Sequence, residues 1–441
     1  MHRFASWLAA FISCYMPLAA QKNPLPALDP STKKAVIDSL SQALNNFYVY
    51  PEQAAAMTKH LQQQWQKHKY DAPLNGPALA EQLMTDIRTV HKDRHLQIRF
   101  DPNLQQRIVS FNATKQPDRT DVAREQRENF YFRKAEVLPG NIGYITFTNF
   151  SDTSEQARAT VRAAMQFVAY TDALIIDLRN NYGGNGIMAG EIAGYFFKEK
   201  VYAGRRYSRI GNTWTDMWQE NNPALTKGLV LNMPVYILTS QRTFSAAEGM
   251  AYSLQQLKRA VVIGDTTRGG AHLTRSFSLG NGFVGFIPFS RSESVISKTD
   301  WEGTGVIPDT RDIESNSLVT AQTIILETKL STTADSTERR KLQWLINYCR
   351  AQNVTMQATP TEISKFTGQF EEFLFTTTNH QLTCTNTSQR NRTNKLTPVT
   401  NNLFVLDDEC QVEFLLDAQD RCNTIKLYWR DGWVDVVTRT K

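Results

Sequence analysis

Apolar positions recur at helical spacing early in the chain. Val36, Leu40 and Leu44 repeat every fourth residue, and Asp29 or Ser31 can cap the start of that helix. Tyr48-Val49-Tyr50-Pro51 breaks the run, and further helices are predicted over residues 52–68 and 76–90. Gln97–Phe100 then reads as a strand. Beyond residue 141 the period changes. Short apolar strands at 142–145, 173–176, 234–239 and 260–264 alternate with helical patterns at 154–168, 187–197 and 246–257. Strands alternating with helices predict an α/β core around a largely buried sheet. Residues 336–350 read as a linking helix, and short strands with polar turns follow from residue 363. The expected architecture is α/β in three parts and a linker. A helical bundle spans 27–105, an α/β core 106–330, a linker helix 331–355 and a small all-β domain 356–441. Within this scheme Asp101–Gly140 is a polar loop rich in Arg and Gln.

The first twenty residues stand apart. His2 and Arg3 precede an apolar run that ends at Leu18-Ala19-Ala20. This is the pattern of a secretory signal peptide, and Pro17 makes the run short for a membrane span. The chain is therefore expected to be exported, to the periplasm or the exterior. Lipidation at Cys14 is less favoured, because Phe11 stands where a small aliphatic residue is wanted. Four cysteines remain after cleavage, too few for a disulfide scaffold, and spacing does not choose among their three full pairings. The net charge of +6 is spread over the chain without a basic block, so no nucleic-acid partner is expected. No later segment is long and apolar enough to span a membrane.

Candidate chemistry starts at Val235–Glu248, where an apolar strand turns sharply into a helix at Ser245. A serine at a helix N-terminus can act as a nucleophile, with backbone N–H groups beside it to hold an oxyanion. The plainer reading is a capping box, Ser245 with Glu248 three residues on. Asp93-Arg94-His95-Leu96 places a histidine at an element boundary, where it can serve as a general base or as an ordinary structural residue. Asp177-Leu178-Arg179-Asn180-Asn181-Tyr182-Gly183-Gly184 carries a buried strand into a glycine-rich loop. Such a loop lets backbone N–H groups approach a ligand, and Gly183 or Gly184 with Ala246 would make a sensible oxyanion hole. It lacks the G-x-G-x-x-G spacing and the Walker lysine of nucleotide loops. Trp301-Glu302-Gly303-Thr304-Gly305 offers a carboxylate, Glu302, to support a histidine or simply to face water. No H-E-x-x-H or paired-cysteine motif occurs, so neither a metal nor a cofactor is expected.

The order of these pieces resembles the tail-specific (C-terminal processing) serine peptidases, in the branch shared with tricorn protease and interphotoreceptor retinoid-binding protein. The resemblance runs over residues 30–315. It implies a ClpP/crotonase-like peptidase core, with Ser245 as nucleophile, His95 as general base and Glu302 as supporting acid. It also implies backbone N–H groups at Gly183–Gly184 and Ala246 as the oxyanion hole. Peptidases of the Ser–Lys type place their lysine 25 residues after the nucleophile; here that position is Gly270, so the base must come from elsewhere. The region 101–140 is too short for the PDZ domain many relatives carry. Arg94 stands where tricorn-like sites use a serine to link histidine to glutamate, so that link needs another route. The expected activity is hydrolysis of a peptide or protein substrate through an acyl-enzyme. Two alternatives are a carrier of apolar ligands on the same fold and an esterase. The sequence does not give the oligomeric state.

Overall fold

The computed structural model describes residues 25–114, 119–353, 363–379, 381–388 and 392–440. The signal-peptide reading of residues 1–20 lies outside the described residues. The first unit holds α1 (Pro30–Phe47), α2 (Pro51–Gln66) and α3 (Gly76–Val90), followed by β1 (Gln97–Phe100). Asp29 and Asn75 cap α1 and α3 with side-chain oxygens, and a proline opens each of the three helices. Next come α4 (Pro102–Thr114), α5 (Arg119–Arg127) and β2 (Phe132–Leu138). The region 101–140 is therefore not the loop its composition suggested. It is so polar that an apolar period has nothing to register on, yet Arg and Gln are good helix formers.

The core continues with β3 (Ile142–Phe147), α6 (Glu155–Phe167), β4 (Ala173–Asp177), α7 (Gly186–Gly194), β5 (Val201–Ser208), β6 (Thr213–Gln219), α8 (Pro223–Thr226), β7 (Val235–Thr239), α9 (Ala246–Gln256) and β8 (Ala260–Gly264). After it run β9 (Leu273–Gly280), β10 (Phe283–Ser294), β11 (Thr310–Arg311), α10 (Ser317–Thr332) and α11 (Ser336–Asn353). One sheet has the order β11-β8-β7-β4-β3-β2 and is parallel except at its β2 edge. Its apolar strands are buried on both faces. Leu174, Ile176, Val235 and Ile237 meet α6, α7 and α9, while Ala173, Ile175, Tyr236 and Leu238 meet α10 and α11. The sheet period of two thus sends alternate residues of each strand to two separate cores.

A second, antiparallel sheet (β1-β10-β5-β6, with β9 on β10) was not anticipated from sequence. Its residues Leu279, Phe283 and Ile287 pack among those of α1, α2 and α3 in one core. The C-terminal part forms two antiparallel sheets, β12 (Gly368–Phe370) to β15 (Arg392–Lys395) and β16 (Thr397–Pro398) to β20 (Val434–Thr438), over a core rich in phenylalanine. Helix α11 packs on it, where the Trp344 indole N–H donates to Tyr428 O at 3.0 Å. The α/β architecture with a helical first part and an all-β last part is thus present.

Candidate active site

Strands β4 and β7 are neighbours in the parallel sheet, and the loops at their carboxyl ends build the site. Several bonds stitch those two loops together. The Thr243 hydroxyl donates to Leu178 O at 2.7 Å, the Ser240 hydroxyl to Arg179 O at 2.6 Å, and the Phe244 N–H to Asn181 O at 3.1 Å. Arg179 grips Asp177 with two bonds at 2.6 and 2.9 Å, and the Tyr144 hydroxyl donates to the same carboxylate. The D-L-R segment therefore anchors the glycine loop rather than facing the cleft.

Ser245 sits between β7 and α9 at φ 55°, ψ −119°. A non-glycine residue there costs on the order of 1–3 kcal/mol, a strain typical of nucleophile elbows. Glu248 holds the turn. It is fully buried, and its carboxylate accepts the Ser245 N–H at 2.8 Å, the Gly270 N–H at 2.8 Å, the Gly269 N–H at 2.5 Å and the Thr267 hydroxyl at 2.5 Å. Burial raises its pKa, and the four donors offset only part of that rise. Since every partner donates, the ionised carboxylate is the form that satisfies them. The sequence pattern showed Glu248 only as half of a capping box. Its second task, tying the 267–270 loop to the serine, joins residues about twenty positions apart and has no local signal.

The two loop glycines differ. The Gly183 N–H is taken by Asn181 Oδ1 at 2.9 Å. Among the described residues no hydrogen-bond partner is found for the N–H groups of Gly184 or Ala246. At Gly183 a Cβ would lie 2.7 Å from Ser245 Cβ and 3.1 Å from Ala246 N; at Gly184 it would lie 2.3 Å from Phe150 O, and φ is +122° there. Both positions need glycine because backbone packs on backbone.

His95 is 8% exposed and stacks on Phe244 with ring centroids 4.5 Å apart. Among the described residues neither ring nitrogen has a hydrogen-bond partner, so His95 is bonded to neither Ser245 nor Glu302 in this conformation. Burial, with the nearby His272 and Arg268, pushes its pKa down to about 4 against the pull of Asp93, so the imidazole is neutral at ordinary pH. Arg94, next to it in sequence, is exposed and does not set this shift. Gly270 explains the missing lysine in steric terms. A Cβ there would meet the Phe244 ring at 2.2 Å and His95 Cε1 at 2.6 Å.

Glu302 does not face water freely; its side chain is 15% exposed. It accepts the Ala271 N–H at 2.6 Å and the Arg94 N–H at 3.4 Å, and lies 3.6 Å from His272 Nδ1. His272 and Asp93, whose side chains are 1% and 0% exposed, are joined through Nδ1 and Oδ2 at 2.8 Å. The Asp93–His272 contact spans 179 positions of sequence, and nothing local marked it. Atoms of Asp93, His272 and Glu302 lie within 4.8 Å of one another, a spacing metals also use. Here they form a satisfied hydrogen-bonded network, in which Asp93 also takes the Tyr48 hydroxyl and the His95 N–H, each at 2.9 Å.

Ser245, Ala246, Gly184 and His272 open on a cleft of about 360 Å³. Met217, Trp218, Met250, Tyr252 and Trp301 give it apolar walls, and Arg206, Asp216 and Asp300 add charge. The arrangement offers a strained serine, free backbone donors and an adjoining apolar cleft, the parts acyl transfer needs.

Residues 141–312 match the family described as Peptidase family S41, and residues 29–135 match the N-terminal domain of Peptidase_S41 in eukaryotic IRBP. Over 180 residues the chain is 29% identical to the carboxyl-terminal-processing peptidase 2, chloroplastic, of Arabidopsis thaliana, covering 39% of this chain and 33% of that protein. Over 175 residues it is 30% identical to a carboxyl-terminal-processing protease of Synechocystis, covering 39% and 38%. The chain thus spans little more than a third of these relatives. Among solved structures, the photosystem II D1 C-terminal processing protease aligns over 65% of this chain and 94% of its own, at 14% identity and a TM-score of 0.42. With both parts matched in order over residues 29–312, the chain belongs to peptidase family S41.

Proposed function

We propose that this protein is an exported serine peptidase working through an acyl-enzyme. The observation that carries this reading is Ser245, held at φ 55° at the N-terminus of α9 and facing the cleft. Ser245 Oγ attacks the carbonyl carbon of a peptide bond as His95 takes its proton. That requires a turn of the imidazole from its stack on Phe244 toward the serine, a turn that breaks no hydrogen bond of its ring nitrogens. The oxyanion is received by the N–H groups of Ala246 and Gly184. Gly183 is the weaker choice, since its N–H is spent on Asn181. His95 returns the proton to the leaving amine, and water, deprotonated in the same way, releases the acid and regenerates the serine. Glu302 supports the base through the groups that lie between them, the Arg94 N–H and His272. Apolar side chains suit the cleft walls. The printed names of the curated relatives agree with a peptidase. Export rests on the pattern of residues 1–20.

The test is covalent labelling of the mature protein by a fluorophosphonate, read by intact mass. Wild-type protein should gain one adduct, and Ser245→Ala and His95→Ala none. Folded wild-type protein that stays unlabelled would refute the reading and favour an apolar-ligand carrier.

A further inference from the structure

His95 and Glu302 share no hydrogen bond, so hydrogen-bonded support of the base by the carboxylate must pass through other groups. The network around Asp93 supplies them. Asp93 Oδ1 accepts the N–H groups of His95 at 2.9 Å and Leu96 at 3.3 Å, fixing the backbone of the base. Asp93 Oδ2 accepts His272 Nδ1 at 2.8 Å and the Tyr48 hydroxyl at 2.9 Å. His272 Nδ1 in turn lies 3.6 Å from Glu302 Oε2, and Glu302 Oε1 takes the Arg94 N–H, one residue before the base. Among the described residues neither carboxylate has an ion pair with Lys or Arg, which leaves His272 as the cation both can share.

We infer that Asp93 and His272 are positioning residues of the proposed reaction: His272, gripped by Asp93 and facing Glu302, is the cation that keeps both carboxylates ionised beside the His95 loop. The inference rests on the peptidase reading above. Two buried carboxylates this close repel one another and pay a desolvation cost, which one shared imidazolium relieves. The groups facing His272 are Asp93, Glu302, Asp300, Tyr50, His91 and His95. Its pKa is raised: burial works against the charge, and Asp93, Glu302 and Asp300 outweigh burial. His95, in the same cluster, is pushed the opposite way. Two histidines with opposite tasks result, one kept charged to hold carboxylates and one kept neutral to take a proton.

The test uses the mature full chain. Imidazole NMR titration of wild type, Asp93→Asn and Glu302→Gln reads His272 without needing activity. His272 should titrate above the free-histidine value of about 6.5, and each variant should lower its midpoint by about one pH unit. Acylation by the fluorophosphonate is followed in parallel against pH. His272→Asn keeps an N–H toward Asp93. It should acylate about tenfold more slowly, with probe affinity within twofold, and should lose the alkaline limb of the wild-type profile. A His272 that titrates at or below 6.5, or does not respond to Glu302→Gln, overturns the inference whatever the activity. Folded His272→Asn with the wild-type rate and profile also overturns it, while wild-type labelling leaves the peptidase reading standing. If the histidine couples as expected but wild-type Ser245 never labels, the peptidase reading falls and the positioning role falls with it.

Discussion

Replacing Glu248 by glutamine keeps the side-chain shape and changes one acceptor oxygen into an NH2 group. Four donors converge on that carboxylate: the N–H groups of Ser245, Gly269 and Gly270 and the Thr267 hydroxyl. Either amide orientation sets an NH2 against two of them. Turning it toward Thr267 and Gly269 is the better choice, because a hydroxyl can rotate and a backbone N–H cannot. The Gly269 N–H then loses a charge-assisted bond and is left buried without a partner. Those losses, less what is regained by no longer burying a charge, come to about 2–3 kcal/mol. For a unit of this size that is a fall in Tm of about 4–12 °C. The Ser245 turn, strained at φ 55°, loses part of its anchor at the same time. Fluorophosphonate labelling should therefore slow by about tenfold or more in protein that is still folded. Differential scanning calorimetry of the full chain and labelling followed by intact mass measure the two effects. A Tm within about 1 °C of wild type, with labelling unchanged, would refute the claim that Glu248 holds the elbow.

Other outcomes follow from the same geometry. Gly270→Ala puts a methyl group 2.6 Å from His95 Cε1 and 2.2 Å from the Phe244 ring, so labelling should drop at least tenfold with only a modest loss of stability; a wild-type rate would show that His95 need not hold this place. His95 has a pKa of about 4, so acylation should lose its base as pH falls through about 4 and hold level above it until the alkaline limb assigned to His272; an acid limb near 6.5 would contradict that environment. The same shift is linked to folding. The unfolded chain binds the His95 proton near pH 6.5 and the native chain only near 4, so its contribution to stability is lost as pH falls across that window. Cys349, Cys384, Cys410 and Cys422 are buried free thiols with raised pKa values, so in protein lacking residues 1–20, and with them Cys14, a thiol reagent should modify none in the native state and four after denaturation; a native adduct would show one to be exposed.

Much of this was legible in sequence where one local signal sufficed. The apolar period, with a cap at Asp29 and a proline at the start, announces α1, and unbroken apolar runs announce β4 and β7. The turn at Ser245 was visible for the same reason. Strands β5, β6, β9 and β10 were missed because their faces are mixed: β6 is almost wholly exposed and carries no alternation to detect. Helices α4 and α5 were hidden by their polarity. His272 could not be found at all from local pattern, since its meaning lies in an aspartate 179 residues away. The relation of His95 to Glu302 was equally closed, because it depends on where Arg94 points and what fills the space beyond Gly270.

The core shared by α1, α2 and α3 with Leu279, Phe283 and Ile287 has a consequence for synthesis. The first hundred residues cannot close their own interior, so the loop bearing His95 lacks its final support until the β9–β10 hairpin exists. Almost two hundred residues separate His95 from Ile287, a wait of roughly 10–40 s on the ribosome. By then Ser245 has been made as well, so the two halves of the proposed chemistry mature in one event, once the β9–β10 hairpin has been added. A nascent or truncated chain therefore has no stage at which the base is set and the nucleophile is merely awaited. Connectivity alone delays the proposed hydrolytic competence until at least residue 287, about two thirds of the way along the sequence.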